Sequence, residues 1–174
     1  MPEDGLKLCN VAVLADESRR VELAVPLERF ERLAPQLTSR EGTVTGSVAL
    51  SREEGRIVAR VELAAQLVMR CQRCLEPMLL PVESQSRVAL LESETQAEAV
   101  PPELETALAP EGRLRLADLL EEELLLAVPA APRHAPGQCP VAGSRKTREQ
   151  GSAEPTQRPF AGLGALLKSD RSKQ

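Results

Sequence analysis

The sequence predicts an α+β fold in which two main helices pack on an antiparallel β-sheet. Residues 57–70 and 78–91 alternate apolar and polar side chains, which is typical of paired strands that are buried on one face. Residues 116–127 carry leucines at helical spacing between acidic residues, which is typical of an amphipathic helix. The chain has 174 residues, of which 42% are apolar, so one ordinary domain with a substantial core is expected.

The strand-forming stretches place their apolar residues on one face. Residues 20–25 alternate well enough for a strand, and Val44, Val48 and Leu50 share a face of the next one. A turn over residues 51–55 contains Gly55 and leads into the longest alternation. In that alternation the inward residues are Val61, Leu63, Ala65, Leu67 and Met69. The pattern breaks at Cys71 and resumes at Met78, so we expect the sheet to contain a Cys-x2-Cys reversal.

Two helices are predicted to cover the sheet. The first begins at Pro26, because proline suits the first helical turn. Its apolar face is formed by Leu27, Phe30, Leu33, Ala34 and Leu37. The second spans residues 116–127 and is stopped by Pro129. Its inward residues are Leu116, Leu119, Leu120 and Leu124, and its outward residues are Asp118, Glu121 and Glu122. The acidic, proline-containing residues 92–112 are predicted to form a loop.

Composition divides the chain into a body and a tail. Residues 1–139 are predicted to form the single α+β domain, and residues 140–174 a flexible basic tail. Residues 140–159 are polar and poor in apolar side chains, which is typical of a disordered linker. Residues 160–168 form a short amphipathic segment with Phe160 and Leu163 on one helical face. A helix this short is marginal in water, so we expect it to dock on its own domain or on a partner.

Charge is distributed unevenly along the chain. Residues 1–132 hold 14 basic and 23 acidic side chains, a net charge of −9, and residues 133–174 hold 8 and 3, a net charge of +5. A basic tail on an acidic body indicates contact with a polyanion or an acidic partner, or else a solvated end. The sequence has neither a membrane-spanning stretch nor a signal-peptide pattern, so we expect a cytoplasmic protein without a membrane partner.

Four residues are predicted to form a zinc site: Cys71, Cys74, His134 and Cys139. Disulfides are not expected in a reducing compartment. The pattern reads C-x2-C, a long insertion, then H-x4-C, which matches the ligand types and local spacings of a structural Cys3His site. Such a site would tie the exit of the second helix to the β-hairpin and contribute several kcal/mol or more to folding.

The cysteines also fit three roles that involve no bound zinc. A C-x-x-C pair can be redox-active, but that chemistry favours a first cysteine at a helix N-terminus, and strand residues follow the pair here. Cysteines can serve as small buried apolar residues, which is the role we expect for Cys9. Finally, the motif can be a metal knuckle that no longer binds, since Leu75 stands where many zinc knuckles have glycine.

Four segments form a joint pattern: residues 71–77, which contain Cys-Gln-Arg-Cys-Leu-Glu-Pro, residues 116–129, residues 134–139 and residues 159–168. Together they resemble the YceD family of small bacterial cytoplasmic proteins. Their order and spacing match over nearly the whole chain. The resemblance implies a role in the synthesis, processing or stability of large-subunit ribosomal RNA, and it implies no catalytic activity.

The resemblance therefore predicts a non-enzymatic factor with large-subunit ribosomal RNA, or its precursor, as partner. Candidate binding residues are Arg113, Arg115, Arg133, Arg145, Lys146, Arg148, Phe160 and Leu163. Arginine suits phosphate, although these charges can equally be solvated surface. Because the chain has two aromatic residues and no Trp or Tyr, RNA contact would involve the phosphate backbone rather than base stacking.

Two further function classes compete with RNA binding. The first is a protein–protein adaptor for a basic ribosomal protein, with Glu121, Glu122 and Glu123 as its acidic surface. The second is an enzyme such as a nuclease. It ranks last because the acidic residues of the second helix have the spacing of an exposed face, and because no glycine-rich phosphate loop is present.

Overall fold

A computed structural model describes residues 5–139, which form a mixed α+β fold. The strands are β1 (Leu8–Asn10), β2 (Arg20–Pro26), β3 (Leu37–Ser39), β4 (Thr43–Glu53), β5 (Arg56–Arg70), β6 (Pro77–Leu91), β7 (Glu105–Leu108) and β8 (Arg113–Arg115). The α-helices are α1 (Val11–Asp16) and α2 (Leu116–Ala127). The main sheet has the order β2-β4-β5-β6-β7, β3 also pairs with β5, and β1 pairs with β8 separately. The predicted α+β class with a mostly antiparallel sheet is confirmed.

The long strand β5 confirms the predicted alternation. Its predicted inward residues are all buried: Val61, Leu63, Ala65, Leu67 and Met69. Both α-helices contact β5, with α1 also packing against β4 and α2 against β6, and the buried side chains of the three strands and both helices form one core. The turn before β5 is tighter than predicted. It consists of Glu54 and Gly55, with φ of 49° and 80°, as the twist of a two-residue hairpin requires.

The first predicted helix, from Pro26 to Leu37, is wrong. The structure has two short 3-10 turns there, at Leu27–Arg29 and Ala34–Gln36, separated by an extended Phe30. Pro35 explains the difference, because a proline within a helix cannot donate to the carbonyl four residues earlier, here that of Glu31, and its ring clashes with that carbonyl. Three of the five predicted apolar positions, Leu27, Phe30 and Leu33, are buried all the same, whereas Ala34 and Leu37 are half-buried.

The predicted loop over residues 92–112 is also wrong in part. It contains β7, which pairs in parallel with the end of β6, from Val88 opposite Glu105 to Leu91 opposite Leu108. Its burial shows no apolar alternation, and Glu105, Thr106 and Leu108 are all exposed. A strand at a sheet edge needs only one paired neighbour and little apolar surface, so the sequence carries a weak signal for it.

Helix α1 was missed, although it has a recognisable start. The Asn10 side chain accepts hydrogen bonds from the backbone N–H groups of Ala12 at 3.0 Å and Val13 at 3.2 Å, which is an N-cap. The helix has only six residues and is rich in β-branched valine, so its propensity is low. It is fixed by the burial of Val11 and Ala15 in the core.

Helix α2 lies where it was predicted, but its acidic residues differ from the expectation. Leu116, Leu119, Leu120 and Leu124 are buried as predicted. Glu121 was expected to face outward and is 9% exposed, and Glu123 is 4% exposed. Glu121 accepts hydrogen bonds from the backbone N–H groups of Arg32 at 2.7 Å and Leu33 at 3.2 Å. These are donors that the missing first helix would have satisfied internally.

The predicted tail, residues 140–174, lies outside the described residues, so the domain division stays a prediction. Among residues 5–139, no helix is long and apolar enough to cross a membrane.

Candidate metal centre

The turn between β5 and β6 carries the first two candidate ligands. Arg70 closes the strand pairing opposite Pro77, and Cys71 and Cys74 lie in the six residues between them. The Cys71 N–H donates to the Glu76 carbonyl and the Leu75 N–H to the Cys71 carbonyl, both at 2.9 Å. Leu75 has a φ of 66°, the left-handed conformation that glycine adopts most easily. The backbone therefore takes a knuckle shape even though glycine is absent.

The segment after α2 brings the other two ligands to this turn. The Gln72 N–H donates to the Pro132 carbonyl at 2.8 Å, which fixes the segment beside Cys71. Beyond it, Ala135 accepts a hydrogen bond from the Gln138 N–H at 3.0 Å, and Gly137 between them has a φ of 81°. Proline followed by a left-handed glycine is the signature of a type II turn. This turn reverses the chain so that His134 and Cys139 approach the two cysteines.

The four predicted ligand residues come together. The Sγ atoms of Cys71, Cys74 and Cys139 and a ring nitrogen of His134 all lie within 4.8 Å of one another. The Cys71 and Cys139 sulfurs are 3.8 Å apart, and His134 Nδ1 is 3.4 Å from the Cys74 sulfur and 3.7 Å from that of Cys139. A tetrahedron with metal–sulfur bonds of about 2.3 Å and metal–nitrogen bonds of about 2.0 Å has edges of about 3.8 Å and 3.5 Å. The three distances given above match these edges and the other three lie within 4.8 Å, so the cluster could hold a metal ion.

Backbone donors prepare the Cys71 sulfur for the charged form. Cys71 is fully buried, and burial alone would raise its pKa. The N–H groups of Cys74, His134 and Arg73 point at the sulfur and stabilise its charged form. Their effect exceeds that of burial and lowers the pKa of Cys71 to about 5. The pKa of Cys74 is raised, first by burial and then by the neighbouring sulfurs, although the Glu76 N–H opposes this. Three thiols packed this closely ionise together only when a cation neutralises them.

Arg73 contacts the ligand set from within the knuckle. Its Nε–H donates to the Cys139 sulfur at 2.9 Å, and its Nη2 donates to the carbonyls of His134 at 3.3 Å and Ala135 at 3.4 Å. One guanidinium thus joins the β5–β6 turn to the segment that carries the other two ligands. The contact with Cys139 raises the pKa of Arg73, as expected for a cation beside sulfur.

A comparison with known protein families identifies the chain. The model of a family described as "Large ribosomal RNA subunit accumulation protein YceD" matches residues 59–167. The chain belongs to the YceD family. The match contains all four candidate ligands and extends from within β5 to beyond α2, whereas β1 to β4 lie before it. No solved structure matches this YceD family member at a significant level.

Of the candidate RNA-binding residues in the described part of this family member, Arg133 is not brought together with Arg113 and Arg115. Arg113 and Arg115 lie in β8, before α2, and Arg133 lies after it, next to His134. The 12 residues of α2 separate them by about 18 Å along the helix. Arg115 also donates to Asp118 at 3.0 Å, so part of its charge is neutralised. Arg145, Lys146, Arg148, Phe160 and Leu163 lie outside the described residues.

Sequence reasoning missed the contact of Arg73 with Cys139 and the role of the Pro132 carbonyl. An arginine between two ligand cysteines was visible in the motif, but its direction toward Cys139 depends on the tertiary fold.

Cys9 is separate from the cluster. It packs beside the core in β1 and its Sγ donates to the Leu114 carbonyl at 3.1 Å.

Proposed function

We propose that this chain is a non-enzymatic ribosome-biogenesis factor that supports the synthesis, processing or stability of large-subunit ribosomal RNA and is built around a structural zinc ion. The observation that carries the proposal is the Cys3His cluster at tetrahedral spacing, within the region that matches the family model. Three thiolates and one imidazole are a donor set that favours zinc among the common divalent ions.

The coordination set favours a structural ion over a catalytic one. Catalytic zinc keeps one position for water or substrate, whereas a structural ion takes all four ligands from the protein. Here four protein donors are already present, and Cys71 is fully buried. Zinc would therefore crosslink the β5–β6 turn to the segment that follows α2.

The non-enzymatic part of the proposal is supported by the carboxylates of α2. Glu121, the leading candidate for a nuclease carboxylate, accepts two backbone hydrogen bonds and thereby holds the turn at Arg32 and Leu33. Glu123 accepts a hydrogen bond from the Ser84 hydroxyl at 3.2 Å. Both side chains have structural partners.

For RNA contact, the exposed arginines beside the metal centre are the best-placed groups of the described region. Arg70 ends β5 immediately before Cys71, and Arg133 immediately precedes His134; both are exposed. Contacts of this kind would be made with phosphates and weaken as salt rises. We place this action in the cytoplasm, where ribosomes assemble.

The test combines metal content with a cellular readout. Cells that lack the gene are complemented with the wild-type chain, Cys74→Ser or Cys9→Ser, and the ratio of large-subunit to small-subunit ribosomal RNA is measured. We expect the wild type and Cys9→Ser to restore the ratio and to purify with one equivalent of zinc. Cys74→Ser should do neither.

Two results would contradict different parts of the proposal. Zinc-free wild-type protein that is fully folded and active would contradict the structural zinc ion. A normal ribosomal RNA ratio in cells without the gene would contradict the role in ribosome biogenesis. Crosslinking of the wild-type chain in cells, followed by sequencing of attached RNA, then tests whether Arg70 and Arg133 lie at the contact, because Arg70→Glu and Arg133→Glu should reduce the recovered RNA.

A further inference from the structure

A groove between α2 and the edge of the main sheet lies apart from the metal centre. It is about 710 Å³ in volume and is lined by residues of α2, of the edge strand β7, of β8 and of the Arg32 turn. Its apolar lining includes Leu119 on α2, Ala107 on β7 and Leu114 on β8. We name it the acidic groove.

Two exposed leucines line the acidic groove. Leu126 on α2 is 70% exposed and Leu108 on β7 is 42% exposed. Among residues 5–139 only six large apolar side chains are this exposed, and two of them, on different elements, line this groove. Exposed apolar residues that gather at a concave surface mark a binding site more often than single ones do.

The charges around these leucines are mainly negative. The lining contains the acidic residues Glu105, Asp118, Glu121, Glu122 and Glu123 and the basic residues Arg32 and Arg115, a net charge of −3. Arg32 pairs with Glu122 and Arg115 with Asp118. In the described part of the chain, Glu105 and Glu123 form no ion pair with a basic side chain, so their negative charge is left uncompensated.

Glu105 and Glu123 also interact with each other. Partial desolvation raises the pKa of Glu105, an exposed residue of β7, and the nearby charge of Glu123 raises it further. Glu123 itself is almost completely buried in the groove wall. A cationic group that entered the groove would relieve this repulsion, which is a second reason, independent of the exposed leucines, to expect a positively charged occupant.

We propose that the acidic groove is the docking surface for a basic amphipathic segment of a partner protein, with apolar side chains on Leu108 and Leu126 and Lys or Arg beside Glu105 and Glu123. RNA is disfavoured because phosphates would meet a net negative surface and find no aromatic side chain to stack on. A second copy is disfavoured as well, since a symmetric contact would place two grooves of net charge −3 against each other. This inference goes beyond the proposed function and depends on neither zinc nor RNA contact.

The probe is a fluorescein-labelled 14-residue peptide of Leu and Lys at helical spacing, titrated with the full chain in fluorescence anisotropy. Comparison probes are the same peptide with Glu for Lys, the same peptide with Ser for Leu, and a single-stranded RNA 14-mer. We expect the Leu/Lys peptide to bind best and its affinity to fall with salt. Leu126→Ser and Glu105→Lys should each weaken it by roughly tenfold or more, in the range of an interface anchor.

Matched controls separate the groove from general effects of charge and hydrophobicity. Leu79→Ser changes a leucine that is 59% exposed on β6, outside the groove lining, and Glu54→Lys changes the charge in the β4–β5 turn. Both should bind the peptide within about twofold of wild type, a difference well below that of a lost anchor.

Three outcomes would overturn the proposal. The first is equal weakening by the groove variants and the controls. The second is preferred binding of the RNA or of the Glu peptide. The third is concentration-dependent self-association of the chain, measured by analytical ultracentrifugation, that Leu126→Ser abolishes, because the occupant would then be a second copy. Circular dichroism of each variant establishes that a lost signal does not come from unfolding.

Discussion

Arg73 brings a positive charge into contact with the ligand set of the metal centre. Its guanidinium donates to the Cys139 sulfur and to two carbonyls of the same segment. Arg73 therefore connects the β5–β6 turn, in which it lies, to the segment that carries His134 and Cys139. A tetrahedral site with three thiolates and one neutral imidazole has a net charge of −1 around a divalent cation, and the arginine balances that charge. Outer partners of this kind orient the ligands and adjust metal affinity.

We predict that Arg73→Gln weakens zinc binding by roughly 10–100-fold, the usual effect of removing an outer-shell partner. Competition with a chromogenic chelator measures the affinity. Alkylation of Cys139 by iodoacetamide, located by mass spectrometry, should become faster in the same variant. Arg73→Lys keeps the charge but loses the forked guanidinium, so its zinc affinity should lie between those of the wild type and Arg73→Gln. Arg70→Gln, three residues earlier and exposed, is the control; equal affinities in Arg70→Gln and Arg73→Gln would contradict the prediction.

Leu75 shows how a ligand turn forms without glycine. The residue adopts a φ of 66° although it carries a Cβ, and its side chain is 60% exposed. A left-handed conformation costs a residue with a side chain about 1 kcal/mol, whereas the exposed leucine contributes little packing. The knuckle therefore carries a small local strain that the surrounding hydrogen bonds offset.

The resulting prediction compares glycine with alanine at two positions. Leu75→Gly should be more stable than Leu75→Ala by about 1 kcal/mol, because only alanine keeps the strain. At Leu79, an exposed residue within β6, the order should reverse by about 0.5–1 kcal/mol, since glycine weakens an ordinary strand. Urea unfolding of the four zinc-loaded variants measures both differences. If the stability difference between the glycine and alanine variants has the same sign at both positions, Leu75 is not strained.

At the scale of elements, α2 stabilises a distant turn through Glu121. Its carboxylate accepts the N–H groups of Arg32 and Leu33, and it is largely buried, whereas its neighbour Glu122 forms a surface ion pair with Arg32. The two glutamates are adjacent in sequence and differ in exposure, so they form a matched pair of substitutions.

We predict that Glu121→Ala lowers the free energy of unfolding by about 1–3 kcal/mol, because two backbone donors lose their partner in a buried site. Glu122→Ala should cost about 1 kcal/mol or less, as exposed ion pairs do. Glu121→Gln, which keeps one acceptor oxygen, should fall between them. Urea unfolding at pH 7 gives all three values. If Glu121→Ala and Glu122→Ala cost the same, the capping role of Glu121 is wrong.

The elements that sequence predicts well are those with one buried face. The burial of strand β5 alternates from Ala59 to Arg70, and each of its predicted inward residues is buried, because one-sided burial of a strand produces an apolar residue at every second position. The turn region after Pro26 kept its buried residues but not its conformation, since Pro35 and the Glu121 contact decide the backbone there. Strand β7 was not predictable from the sequence, because a strand at a sheet edge pairs through its backbone groups and requires no particular side chains.

At the scale of the whole molecule, the four ligand residues were predictable from residue type and local spacing. Their convergence at the β5–β6 turn was part of the same prediction, but the contact that fixes it, from the Gln72 N–H to the Pro132 carbonyl, left no signal in the sequence. The same fold separates Arg133 from Arg113 and Arg115, which sequence proximity to α2 could not reveal. It also joins Leu108 and Leu126 in one groove, although neither belongs to a recognisable motif.

A metal ion bound at the Cys3His cluster would close a long loop of the described chain. Cys74 and His134 are 60 residues apart in sequence and meet at 3.4 Å, so a bound ion restricts the unfolded chain as a crosslink does. For a loop of this length the chain-entropy relation gives about 4 kcal/mol. That is a large part of the stability of an ordinary domain, in a chain that has only two aromatic side chains for its core.

Removing the metal should therefore destabilise the whole domain. We predict that a zinc chelator lowers the free energy of unfolding of the wild-type chain by about 4 kcal/mol, measured by urea unfolding with the thiols kept reduced. Cys9→Ser should respond in the same way, because its side chain lies in β1 outside the ligand set. Cys74→Ser should already unfold at low urea and should not respond further to the chelator. A wild-type midpoint that stays the same after verified zinc removal would mean that the β5–β6 turn and the segment after α2 are held by their backbone and Arg73 hydrogen bonds alone.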